Sequence, residues 1–416
     1  MTLTAPEWRA ARAEAHRVGA QAQREATPVA LSDADGAVLA EPLVTLTDLP
    51  AFPTSSVDGF AVRGAGPWRI VGQVLAGSVP PPLRDGEAME IATGAMTPEG
   101  IEQLIRVEHS ETPTPGHVTG QPRARRDWRD AGEEASKGEV LAPSGTLVTP
   151  GLIGLAASCG YDELVIRRRP TAAVLVFGDE LAVSGPPGEG RVRDSLGPSM
   201  PAWLRRLGAA PASGFAPLGP VEDTLQAHVS AIQSALDAAD LVCTTGGTMH
   251  GPVDHLHPAL AELGAEYVIN TVRARPGFPM LLARIPARDG LPVRWVAGLP
   301  GNPQSAVVAL VSLVTPLLAG LAGRPLPTLQ RVRLGAAVEG RGDHTHLALV
   351  RIDPDGVAYP LPHAGSAMLR GVAGADGFAV INPNTSGAAG DVVDLAPLPL
   401  RAGELGAGER LDADLK

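Results

Sequence analysis

From about residue 170 the chain alternates uninterrupted apolar runs with segments whose apolar positions recur every three or four residues. AAVLVFGDEL, LVCTTGG, EYVINTVRA, MLLARI and VRWVAGLP read as strands, while PSMPAWLRRLGA, DTLQAHVSAIQSALDAA and VDHLHPALAELGA read as amphipathic helices. That order predicts a doubly wound, mainly parallel α/β sheet, in which ligands bind beyond the carboxyl ends of the strands. After about Arg324 the runs shorten to VRLGAAVE, HLALVRI, GFAVIN and DVVDLA, separated by Gly, Asp, Asn and Pro, which predicts a terminal β domain.

The first third reads differently. Ala, Arg and Glu at helical spacing from about Pro6 to Arg24 predict an exposed helix, followed by a short helix around Asp33 to Leu39, a strand and the turn-rich DLPAFPTSSVDGFAV. WRIVGQVL, EAMEIAT, EQLIRVEHS and GHVTGQP then predict a small β-rich domain, after which VTPGLIGLAASCG and DELVIRR return to helix and strand. The β domain is therefore an insertion in a split one. The expected division is 1–53 with 138–169 as a split elongated domain, 54–137 as the insert, 170–323 as the α/β domain and 324–416 as the C-terminal β domain.

Residues 305–323, SAVVALVSLVTPLLAGLAG, are nineteen uncharged positions, near the length that spans a bilayer. Ser305, Ser312, Thr315 and Pro316 interrupt the run and no basic cluster anchors it, so a buried core helix is expected. With 45 acidic against 34 basic residues the net charge is −11, and aromatics are 3%. Phosphate-backbone binding, base stacking and attachment to anionic membranes are disfavoured. Cys159 and Cys243 lie in apolar settings without a second ligand nearby, which fits buried thiols in a reducing cytoplasm. The opening MTLTAPEWRA lacks the apolar run of a secretory signal.

Three strand ends of the α/β domain are expected to share one crevice. FGDEL offers Asp179 and Glu180, TTGGTMHGPVD offers paired glycines with Asp254, and GLPGNP leads into the long helix. Glycine-lined amides at a helix start suit an oxyanion, and nearby carboxylates suit a divalent cation that neutralises phosphate. Each piece also has an ordinary reading: a tight turn for the GG pair, an N-cap for Asp254, loop charges for Asp179 and Glu180. Asp58 and Thr93 fit simple turns by themselves. His250, His255 and His257 do not share one helical face, so surface or capping roles suit them better than a metal site.

The order of DLPAFPTSSVDGFAV, IATGAMTPEGIEQLIRVE, RPTAAVLVFGDEL, TTGGTMHGPVD, RPGFP, GLPGNPQSAV and HAGSAMLRGVAGADGFAVI resembles the MoeA/gephyrin E-domain family of molybdopterin molybdenumtransferases over about residues 5–400. The resemblance implies four domains, with a molybdopterin-binding α/β domain and a C-terminal β-barrel-like domain. It also implies an elongated homodimer whose cleft joins the α/β domain of one subunit to the insert of the other, and possible contact with other cofactor-synthesis proteins. The implied reaction is magnesium-dependent insertion of molybdate into adenylylated molybdopterin with release of AMP. Position by position, Asp58, Thr93, Glu180, Asp223 and Asp254 match catalytic residues. Glu180 and Asp254 match the metal-holding pair. Gly246, Gly247, Arg275, Gly298, Pro300, Gly301, Asn302, Pro303 and Ser366 match the cofactor-binding loops.

The departures lie in the cleft. Met249 stands where the glycine loop ordinarily carries serine, with Pro252 beyond it. The KPGKP motif is RPGFP, with Arg275 keeping one cation and Phe278 removing the other. The GED triplet is Gly132, Glu133, Glu134, and DSN is Asp194, Ser195, Leu196. These substitutions leave two further readings open: a non-catalytic carrier of molybdopterin or cofactor, and a molybdopterin adenylyltransferase.

Overall fold

The computed structural model describes residues 2–215, 219–249, 251, 254–287 and 292–399. They form two compact units, one made of residues 28–35 and 41–165, the other of residues up to 27, 36–40 and from 166 on.

The first unit is built on a six-stranded sheet. Its strands are β1 (Gly59–Val62), β2 (Trp68–Val74), β3 (Glu87–Ile91), β4 (Gln103–Arg106), β5 (Ser110–Thr114) and β6 (His117–Gly120), in the order β5-β6-β2-β3-β1-β4. Only β2 and β3 pair in parallel. The period of two is explicit in the packing: Ala61, Met89 and Leu104 bury on one face, while Phe60, Ala88 and Ile105 bury on the other. The predicted insert is thus a sheet covered on both sides. The helix expected from VTPGLIGLAASCG runs Pro150–Ser158, with the Thr149 hydroxyl accepting from the Leu152 amide and proline in the first turn.

The second unit carries the α/β sheet. The strands are β7 (Thr171–Val176), β8 (Ala210–Pro211), β9 (Leu241–Thr245), β10 (Glu266–Asn270), β11 (Leu281–Ile285) and β12 (Arg294–Leu299). Across the sheet they run β10-β11-β12-β9-β7-β8, with Leu3–Thr4 added beside β10. β8, β7, β9 and β12 are mutually parallel, and β11 runs antiparallel between β10 and β12. Alternate residues of β7 face opposite layers. Ala172, Val174 and Val176 join the core with α1 (Trp8–Gln21), α2 (Leu196–Arg206) and α5 (Pro303–Leu321). Ala173 and Leu175 join α3 (Leu225–Ala238) and α4 (Leu256–Glu262).

The remaining strands are β13 (Gln330–Leu334), β14 (Thr345–Ile352), β15 (Val357–Pro360), β16 (Gly377–Ile381) and β17 (Val392–Pro397). They pair in the cycle β14-β15-β13-β17-β16 and back to β14, a closed five-stranded barrel with no free edge. Val350, Ala358, Ala379 and Leu395 belong to one buried cluster of its strands.

The N-terminal helix corrects the sequence reading, because one whole face of it is buried. Trp8, Ala11 and Ala15 have no solvent exposure, and α1 packs on α5 at two glycines so closely that side chains are excluded. A Cβ on Gly320 would lie 2.4 Å from the His16 carbonyl, and one on Gly19 2.5 Å from the Leu317 carbonyl. Counting residue types hid this: alanine and glycine looked neutral in the pattern, yet they allow backbone to meet backbone. At the same contact α5 contains one π turn, Leu310–Val314, ahead of Pro316. The Thr315 amide bonds Leu310 and Pro316 has no amide, which leaves the Val311 carbonyl without a helical donor. Arg12 supplies it from 2.7 Å and also donates to the Pro327 carbonyl at 2.9 Å, while the Trp8 indole donates to Ser312 at 2.7 Å. Burial, with Arg9 nearby, lowers the Arg12 pKa to about 10, still charged at neutral pH. The apolar run is therefore a core helix, 94% buried over its most apolar window, as the sequence led one to expect.

Replacing Arg12 by Met keeps the stem and strands the buried Val311 carbonyl and the half-buried Pro327 carbonyl, which should lower unfolding stability by about 2–3 kcal/mol. Urea denaturation should show a lower midpoint with an unchanged slope. An unshifted midpoint would mean that the two carbonyls find other donors.

Candidate functional site

β7, β9 and β12 lie side by side with Val176 opposite Thr245 and Thr245 opposite Leu299, so their carboxyl ends open on the same edge. From that edge leave the three loops that the sequence singled out. Gly246 and Gly247 have φ of +90° and +67°, the left-handed region that side chains disfavour. Gly246 also packs close: a Cβ there would lie 3.2 Å from the Phe177 carbonyl, and one on Gly301 3.6 Å from the Gly246 Cα. The GG loop and the GLPGNP loop are thus neighbours, tied by the Gly246 amide donating to the Leu299 carbonyl at 3.0 Å. Gly298 serves packing, since a side chain there would collide with Leu281 and Leu256.

The helix start beyond this loop differs from the expectation of open amides. Pro303 has no N–H, and the amides of Gln304 and Ser305 donate to the Ser366 carbonyl at 3.0 and 3.3 Å. A barrel-domain loop therefore caps α5, and Ser366 acts there through its backbone. Asn302 is the N-cap residue but makes no side-chain cap bond.

Two of the acids pair and the others stand apart. Asp179 and Asp223 clasp each other: the Asp179 amide donates to the Asp223 carboxylate at 3.2 Å, and the Asp223 amide to the Asp179 carboxylate at 3.3 Å. Glu180 is exposed, with its carboxylate folded over Gly178. Asp254 lies beyond the GG loop and accepts from the Gly251 amide at 2.7 Å, so it closes a turn before α4 rather than capping the helix itself. Among the described residues no three His, Cys, Asp or Glu side chains converge as a metal cage. Glu180 is exposed and Asp254 half-buried, and magnesium ordinarily takes one or two carboxylates with substrate phosphates and water supplying the rest. His257 bonds the Tyr267 hydroxyl at 2.6 Å, which gives it a structural partner. His250 and Pro252 lie outside the described residues.

Asp194 accepts from the Leu196 and Gly197 amides at 3.0 and 2.9 Å and so caps α2, while Leu196 is buried in the core. Arg275 is exposed, with its guanidinium 5.5 Å from the Phe278 ring centre, and Phe278 meets His344 edge-on. The RPGFP segment is pinned to the barrel, since Ala274 and Arg275 pair with Thr345 and His346.

In the first unit Asp58 and Thr93 come together. The Asp58 carboxylate accepts from the Thr93 amide at 2.7 Å and from its hydroxyl at 3.1 Å, and both residues are exposed. Beside them Arg106 grips Asp127 with two bonds of 2.9 and 2.7 Å. That bond, opposed by burial, pulls the Asp127 carboxyl below its ordinary range. The Asp127 carbonyl in turn holds the Ser56 amide at 2.8 Å. Sequence reasoning missed this pair, because 21 positions separate the partners.

It also missed His228. The imidazole has no solvent exposure and lies stacked on Phe177, ring centres 3.8 Å apart. Its only sequence signal is its place on the apolar face of α3, four residues before Ile232.

Comparison with known proteins identifies three family regions in order. Residues 7–160 match the MoeA N-terminal region, domains I and II; residues 173–320 the probable molybdopterin binding domain; residues 331–398 the MoeA C-terminal region, domain IV. A molybdopterin molybdenumtransferase of Bacillus subtilis is 32% identical over 72% of this chain and 71% of its own. One from Staphylococcus aureus is 29% identical over 74% of each. The crystal structure of a molybdopterin biosynthesis MoeA protein from Pyrococcus horikoshii superposes with a TM-score of 0.75 at 25% identity, covering 93% of this chain and 98% of that one.

Burial lowers the pKa of His228 and of His346, so both resist protonation in the fold. The unfolded chain takes up those protons near the ordinary value of 6.5, so it binds more protons than the native state below that pH. Stability should therefore fall as pH drops through 6.5 and level off below the lowered native values. His228→Phe should flatten part of that slope in denaturation series at pH 5–7.5, and an identical slope would show that His228 does not titrate on unfolding.

Proposed function

The chain belongs to the MoeA family of molybdopterin molybdenumtransferases, and from that premise we propose that it inserts molybdate into adenylylated molybdopterin, with magnesium, releasing AMP. The observation that carries the proposal is the meeting of the Gly246–Gly247 and Gly301 loops at a strand edge that also presents Glu180, Asp223 and Asp254. Glycine lets a phosphorylated ligand approach the backbone closely, and carboxylates beside it suit the metal that phosphoanhydride cleavage calls for.

In this reading Glu180 and Asp254 hold magnesium, whose charge neutralises the phosphates. Gly246, Gly247, Gly298, Pro300, Gly301, Asn302 and Pro303 shape the bed for the pterin phosphate. Arg275, steadied on Phe278, clamps a phosphate oxygen, bidentately where geometry permits. Ser366 fixes the GLPGNP helix start through its carbonyl. Asp58 and Thr93 act from the inserted sheet as a prearranged pair, and the cleft is completed by the insert of a second subunit in a cytoplasmic homodimer. The substrates are molybdate and adenylylated molybdopterin.

The decisive assay is AMP release from adenylylated molybdopterin with magnesium, with and without molybdate. Molybdate-dependent release yielding active cofactor supports the transferase, and tight binding without release sinks it. Asp254→Asn keeps an acceptor for Gly251 while removing the charge, and Glu180→Ala removes an exposed group. Both should cut turnover about 100-fold or more with little change in thermal midpoint. Wild-type rates at limiting magnesium would reject the metal assignment.

Arg275→Ala should weaken binding of the phosphorylated pterin about tenfold or more by calorimetry, as expected for losing a charged hydrogen bond. An unchanged dissociation constant would put the phosphate elsewhere.

A further inference from the structure

His228 is a buried polar group whose nitrogens have no hydrogen-bond partner, and it sits directly beneath the strand edge described above. Neither Nδ1 nor Nε2 makes a hydrogen bond, although the residue has no solvent exposure. Native structures satisfy nearly all buried polar atoms, and phenylalanine would fill an apolar slot of this shape without the desolvation cost. The imidazole therefore carries a desolvation cost that no hydrogen bond in the structure offsets.

Its neighbours belong to all three acid-bearing loops. One ring face stacks on Phe177, two residues before Asp179, at an interplanar angle of 17°. Its edge meets His255, the residue after Asp254, with ring centres 5.7 Å apart. Nε2 stands 3.6 Å from the Asp223 carboxylate, just beyond a hydrogen bond. Asp223 is itself clasped to Asp179. Phe177 extends the contact further, since its carbonyl lies under Gly246 and its ring under Gly247.

We propose that His228 is a positioning residue for the transferase site: its ring nitrogen sets the Asp223 carboxylate, and through the mutual clasp Asp179, while its stack on Phe177 fixes the loops on either side. The proposal rests on the transferase reading. The ring is neutral, held so by burial and by His255, with Asp223 and Asp179 as the charged groups facing it. A neutral imidazole has one N–H to donate, and catalytic hydrogen bonds left long in the free protein tighten when substrate loads. The 3.6 Å contact has only tenths of an ångström to close. No bond to substrate is involved, so the effect on the reaction is carried by Asp223.

His228→Phe and His228→Gln test the proposal. Phe keeps the stack and removes both nitrogens, whereas Gln can return a donor near the Nε2 position. His228→Phe should fold normally and lower kcat for AMP release about tenfold or more with KM nearly unchanged, and His228→Gln should recover part of that loss. In an Asp223→Asn background the Phe substitution should cost nothing further, because its route is already cut. A wild-type kcat in His228→Phe, or full additivity with Asp223→Asn, overturns the proposal. A second readout needs no turnover: the nitrogen chemical shifts of the His228 ring, followed by NMR in the wild type and in Asp223→Asn. Shifts that move with Asp223 support the coupling, and identical shifts overturn it even if the protein releases no AMP. Failure of the transferase reading and failure of this one are thereby distinguished.

Discussion

The contact between α1 and α5 is the constraint on which the second unit is assembled. Two backbones touch at Gly19 and Gly320, and the touch exists only because neither residue carries a side chain. Close approach brings Arg12 to the one carbonyl that the π turn and Pro316 leave unserved. The two features explain each other: the π turn would strand a buried carbonyl without Arg12, and Arg12 would be an unpaired buried charge without the turn. A second tie closes the other end of the same segment. Arg24 and Arg294 both pair with buried Asp240, which also accepts the Thr171 amide at 2.9 Å, so β7, β9 and β12 begin from one charged knot. The sheet is held at its amino ends, which leaves its carboxyl ends free to carry loops shaped by function rather than by stability.

At that carboxyl edge the design principle is the absence of side chains where backbone must approach. Gly246 and Gly301 bring two loops within contact distance, and the Ser366 carbonyl takes up the first amides of α5. The edge is thus tied by backbone contacts, with the first amides of α5 already taken. Negative groups are instead fixed by short backbone contacts, Asp254 on Gly251 and Asp179 with Asp223. Orientation of a carboxylate by an amide costs little entropy beyond the turn that already exists.

How much of this the sequence disclosed depends on whether the signal was local. The strands of the α/β sheet and the barrel were legible because apolar runs between Gly, Pro and Asp have short-range causes. The three crevice loops were legible for the same reason. The burial of α1 was not, because Ala11, Ala15 and Gly19 carry almost no hydropathy signal while making the tightest packing in the unit. The sheet is mainly parallel, as its pattern implied, but the antiparallel β11 was not legible, since an apolar strand reads alike in either direction. Pairings across sequence escaped altogether: Arg106 with Asp127, Ser366 with the start of α5, His228 with Asp223. Each joins residues whose contact no local pattern announces, and only the fold supplies the coincidence.

The substituted motifs take on a physical sense in this setting. In the DSL triplet the capping function stays with Asp194, so the leucine at 196 gives up an amide but completes the core beneath α2. In RPGFP the phenylalanine removes a second cation yet presents its ring to Arg275 and its edge to His344. Two flexible ammonium groups would offer more charge, whereas one guanidinium resting on a ring offers less charge with less freedom to lose. The strand pairing of Arg275 with His346 restrains the same residue from the backbone side. Charge number has been exchanged for preorganisation on a segment that pairs with a strand of the barrel.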